Sequence, residues 1–84
     1  MKLYKVWQDQ QCGYDTCSDM VVCASDVEEA RSIHPCDMDW PNHTSQTAPP
    51  GVWCESPADA HVEYLGEARE GLVKSVICTS FHAG

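Results

Sequence analysis

The junction at residues 20–31 constrains this chain more than any other stretch. Met20-Val21-Val22-Cys23-Ala24 is apolar without alternation and runs directly into Ser25-Asp26-Val27-Glu28-Glu29-Ala30-Arg31. An unbroken apolar run of this length reads as a strand buried on both faces or placed centrally in a sheet. The residues that follow read as the start of a helix. Ser25 with Glu28 three positions later forms a capping box: the hydroxyl accepts from the Glu28 N–H, and the carboxylate reaches back to the Ser25 N–H. Asp26, Glu28 and Glu29 place negative charge in the first turn, where the helix dipole favours it. Val27, Ala30 and Ile33 make one narrow apolar stripe. Pro35 ends the helix by disfavouring helical geometry at His34. A buried strand followed at once by a short, one-sided helix requires a sheet with that helix laid on it.

The flanking segments supply the rest of the sheet. Residues 2–8 alternate like a strand, and a polar loop with Gly13 follows from Asp9 to Asp19. From Cys36 to Pro50 the chain is polar, with Trp40-Pro41 and Pro49-Pro50-Gly51 as turn signals, so a long irregular loop is expected at about 36–51. Loops of that length in compact domains are uncommon unless they bind something or are partly mobile. Val52 to Glu55 offers a short strand or bridge stopped by Ser56-Pro57. His61 to Leu65 gives a further strand, Gly66 to Gly71 a turn, and Leu72 to Phe81 a last strand rich in β-branched residues. The expected fold is α+β: a small antiparallel sheet of about four strands, in the order β-β-α-β-β, packed by one short helix. With 84 residues it forms a single domain around a single core.

Thirteen acidic against five basic side chains give a net charge of −8. Such a surface repels phosphate backbones and anionic membranes, which argues against direct binding to nucleic acid or lipid and favours a basic protein surface as partner. The acids are scattered, so solubility alone also explains them. Six cysteines would suggest disulfides in a secreted chain. Met1-Lys2 leads straight into a strand pattern with no apolar leader, and no stretch is long enough to span a bilayer, so a cytosolic protein with reduced thiols is expected.

Candidate chemistry is thin. Zinc sites usually show close cysteine pairs. The nearest approximations here are Cys12 with Cys17, His34 with Cys36, and Cys78 with His82, which makes zinc a weak expectation and no cofactor the stronger one. Cys36, His34 and Asp37 are close in sequence, but catalytic triads are assembled in space, and no nucleophile signature is present. The chain therefore reads as non-enzymatic. Arg31 and His34 are the one local basic pair available to a phosphate. A small-molecule binder, such as a sponge for a signalling nucleotide or a Cys/His metal protein, is the alternative to protein recognition. The favoured reading uses aromatics in loops as interface anchors, Tyr14, Trp40 and Trp53, with Asp9, Asp15, Asp19, Asp37, Asp39 and Glu55 as an acidic rim. Trp53 reads equally well as a core residue. An exposed edge strand can support a homodimer.

Gly13-Tyr14-Asp15-Thr16, Val21-Val22, Glu28-Glu29-Ala30-Arg31, His34-Pro35, Trp53, Leu65-Gly66, Ser80-Phe81 and Ala83-Gly84 together form a pattern. It resembles a family of small phage- and prophage-encoded proteins whose members mostly have no assigned activity. The chain departs from it at Cys17, where an aromatic is usual, and at His82, where asparagine is usual. The resemblance implies a protein acting in the cytoplasm of an infected bacterium. Small acidic phage proteins often act there by occupying host machinery, including CRISPR effectors and restriction enzymes. By that analogy the expected function is an inhibitor of a host defence complex that handles nucleic acid, acting by steric occlusion.

Overall fold

A computed structural model describes residues 1–10, 13, 16–35, 52–54 and 56–82. The described strands are β1 (Lys2–Trp7), β2 (Thr16–Ala24), β3 (His61–Glu67) and β4 (Ser75–His82), with one helix, α1 (Val27–Arg31), between β2 and β3. They form one antiparallel sheet in the order β3-β1-β2-β4. The fold is the expected α+β arrangement of a four-stranded sheet and one short helix. The unalternating strand β2 is central, as its composition predicts.

Period-two alternation decides which side chains meet the helix. In β1, Tyr4 and Val6 are buried, as is Gln8 just beyond it, while Lys5 is exposed and Leu3 and Trp7 are half-buried. Tyr4 lies opposite Val22 and Val6 opposite Met20 on β2; on β3 the same two residues face Tyr64 and Val62. This inner face meets Ala30 and Ile33 of the helix stripe, with Trp53, Cys54 and Ala60 completing the core. Ile33 is fully buried, a burial that contributes roughly 2–3 kcal/mol. Val27, the third residue of the stripe, is 40% exposed and stands at the margin.

The helix starts one residue later than its sequence signal. Asp26 is the N-cap, its Oδ1 accepting from the Glu29 N–H at 2.8 Å. The Glu29 carboxylate in turn accepts from the Ser25 N–H at 2.9 Å. The helix also stops before Pro35 comes into play: Ser32 is the C-cap, and its hydroxyl donates to the Glu28 carbonyl at 3.0 Å. Arg31 donates to the Ala60 carbonyl at 2.8 Å and lies only 4.0 Å from Glu28, so its main work is to tie the helix to the segment entering β3.

Other boundaries move for reasons of pairing. β2 begins at Thr16 because its polar first half pairs with the end of β4, Cys17 opposite Phe81. β4 begins at Ser75 rather than Leu72. Val52 to Cys54 is bent chain rather than a strand; the Val52 carbonyl accepts from the Cys17 N–H at 2.9 Å, and a single 3-10 turn at Pro57–Asp59 follows. β3 runs on to Glu67 through a bulge that places Gly66 opposite Leu3 and Tyr64 opposite Tyr4. Gly66 there has φ +155°, a backbone conformation that side chains other than hydrogen disfavour. The long loop expected at 36–51 lies outside the described residues.

Candidate functional site

The face of the sheet turned away from α1 carries the most distinctive cluster. Lys5 and Trp7 project from β1 onto this outer face, and the register sets Trp7 beside His61 of β3 and Asp19 of β2. The Trp7 and His61 rings stack with centroids 5.4 Å apart and planes inclined by 25°. The Lys5 ammonium lies 5.6 Å from the centroid of the indole, within cation–π range. Asp9 Oδ2 is 3.9 Å from His61 Nε2, both side chains being at least half exposed. Glu63, opposite Lys5, continues the acidic edge along β3. The result is an aromatic pair with Asp9 close to the imidazole, Asp19 in register with the indole, and Glu63 two residues along β3 from His61.

The end of β1 nearest this pair is held in place by a buried amide. Gln8 donates from Nε2 to the Cys17 carbonyl at 2.8 Å and accepts the Gln10 N–H at 2.8 Å. Its backbone N–H also bonds the Ser18 carbonyl. The strand that presents Trp7 and the turn that presents Asp9 are thereby fixed relative to β2.

Beside Lys5 on the same face is an open groove of about 270 Å³, lined by Lys5, Asp19, Met20, Val21, Cys78, Thr79 and Ser80. Small-ligand sites usually occupy 300–1,000 Å³ and enclose most of the ligand. An open groove at the lower margin of that range fits one side chain of a docked protein better than a nucleotide.

Among the residues expected to bind a partner, Asp19 stands in β2 next to Trp7. Trp53 is 2% exposed and fills the core, so it does not serve as an accessible anchor. Tyr14, Asp15, Asp37, Asp39 and Trp40 lie outside the described residues, as does Glu55. Among the weak metal candidates, Cys17 and His34 are buried while Cys78 is exposed. Cys12 and Cys36 are outside the described residues, and His82 is placed only as a β4 residue. The buried thiols act as hydrogen-bond donors, Cys17 to the Asp19 carbonyl at 3.2 Å and Cys54 to the Ser56 carbonyl at 3.4 Å. Burial, and then the nearby Asp59 carboxylate, push the Cys54 thiol up to about 11, so it stays protonated at neutral pH. Among the described residues no three His, Cys, Asp or Glu side chains gather as a metal site would need.

Trp7 and His61 were not among the residues singled out from sequence. Alternation places Lys5 and Trp7 on one face, but the His61 contact depends on register between distant strands. Among the described residues no helix is long and apolar enough to cross a membrane. No family model matches the chain, and neither does any curated protein or solved structure.

Proposed function

We propose that this chain is a non-enzymatic binding protein that covers a basic surface on a host protein, with the Trp7–His61 pair at the centre of the contact. The observation that carries this reading is the stacked aromatic pair on the outer sheet face, with Asp9, Asp19 and Glu63 near it. Aromatic anchors within a charged rim are the usual make-up of an interface hot spot. Lys5 already rests against the indole, so an arginine or lysine from a partner would dock on the ring by displacing it. The net charge of −8 adds steering toward a basic target. The resemblance to small phage-encoded proteins supplies the setting: the cytoplasm of an infected bacterium, and a defence complex with a basic groove for nucleic acid, such as a CRISPR effector. Inhibition follows from occlusion of that groove.

Affinity capture from infected-cell lysate tests this directly. Tagged wild-type protein is expected to retain one host protein in stoichiometric amount and release it at high salt. Trp7→Ala should weaken the complex by about 2 kcal/mol, roughly thirtyfold. A retained protein that ignores both salt and Trp7→Ala would count against the proposed surface. Retention of a metal or nucleotide with no protein would favour the small-ligand alternative instead.

A further inference from the structure

We propose that the chain also pairs with a second copy of itself through the free edge of β4, the two strands running antiparallel across a two-fold axis. β4 is an outermost strand, bonded on one side to β2, and among the described strands nothing pairs with its other side. An edge strand presents a row of backbone donors and acceptors that seek a partner, and natural edges are usually blunted by charge or proline. β4, Ser75–His82, contains no Asp, Glu, Lys, Arg or Pro. Each of the other strands carries formal charge: Lys2 and Lys5 in β1, Asp19 in β2, Glu63 and Glu67 in β3.

Charge selects the occupant. A two-fold contact is made by the same patch on both copies, so any charged residue near the axis meets its own image. A chain of net charge −8 can approach itself only where its surface is locally uncharged. The other edge, β3, would set Glu63 and Glu67 against their counterparts. β4 sets hydroxyls, a thiol and apolar groups against theirs. The ladder to β2 shifts register twice, with the extra residue on β4 at Ile77 and on β2 at Ser18. From Cys78 to His82 β4 itself therefore runs with no extra residue of its own, and it offers that stretch to the second strand. Ile77, 46% exposed, and Val73, 68% exposed, lie at the near end of that stretch and supply apolar surface for the contact.

Sedimentation equilibrium across a dilution series, at low and high salt, reads this out. The wild-type chain is expected to dimerise, and the dimer should tighten with salt as repulsion between the two acidic bodies is screened. Binding of a basic partner through the outer face should weaken with salt, so either idea can fail without the other. Ser80→Lys and Thr79→Lys place like charges across the axis and should each weaken dimerisation at least about tenfold. Glu63→Lys, on the opposite edge, should leave the β4 pairing in place. Hydrogen exchange of the wild-type protein gives a second reading, with β4 amides gaining protection as concentration rises. A chain that stays monomeric at high concentration and high salt, a dimer indifferent to both lysines, or β4 protection independent of concentration would overturn the proposal.

Discussion

The indole of Trp53 is sealed in the core, and among the described residues its Nε1–H has no acceptor. The ring's bulk therefore stabilises the fold while its buried donor works against it, and two substitutions separate these effects. Trp53→Ala removes the bulk and should cost about 3–5 kcal/mol. Trp53→Phe keeps most of the ring and removes the donor, so its cost should be clearly smaller, about 1–2 kcal/mol by urea unfolding. Cys54 gives a second test at this scale. Its folded thiol titrates near 11 against an ordinary 9.0, so between those values the unfolded state loses its proton first. The thiol's contribution to stability is complete below pH 9 and is lost as pH rises toward 11. Cys54→Ala should flatten the fall in unfolding free energy across that window. Equal slopes in the two proteins would mean that Cys54 is ionised freely in the fold.

At the scale of elements, the helix start shows what sequence alone determines and where it stops. Ser25-Asp26-Val27-Glu28-Glu29 offers two capping boxes, one residue apart, with equally good chemistry. The structure uses Asp26 and Glu29, and the Ser25 hydroxyl plays no part in the cap. Asp26→Ala should destabilise the protein by about 1 kcal/mol, whereas Ser25→Ala should be near neutral, a contrast that thermal melting resolves. The existence and order of the elements were legible because Met20–Ala24 is an unbroken apolar run and Val27, Ala30 and Ile33 recur at helical spacing. Boundaries were less so. Thr16 to Asp19 looks like loop by composition, yet pairing with β4 makes it strand, because tertiary contacts override weak local preference. The candidate site was legible in half. Lys5 and Trp7 share a face by alternation, but His61 joins them only once β3 is laid against β1 in one particular register. Trp53, by contrast, drew attention as an aromatic near a loop, and its ring is in the core.

Over the whole molecule the dominant quantity is charge, and distance decides how far it reaches. The Cα radius of gyration is 12.0 Å. The Debye length is about 30 Å at 0.01 M salt and about 8 Å at 0.15 M, so the acidic groups repel one another across the whole body only in dilute buffer. Five cations stand against thirteen acids, so most of the negative charge has no cation to offset it. Adding salt should therefore raise the melting temperature. Glu70→Lys, on an exposed turn outside the proposed site, should raise the melting temperature in dilute buffer and reduce its dependence on salt. The same salt series should tighten any β4-mediated dimer and weaken docking on a basic partner, because two like-charged bodies and two opposite ones respond with opposite signs. Melting, sedimentation and partner capture along one salt gradient thus give three slopes with assigned directions. A melting temperature that falls with salt, or that Glu70→Lys leaves unchanged in dilute buffer, would mean that local ion pairs rather than net charge govern this fold. The electrostatic case for partner steering would then lose its footing.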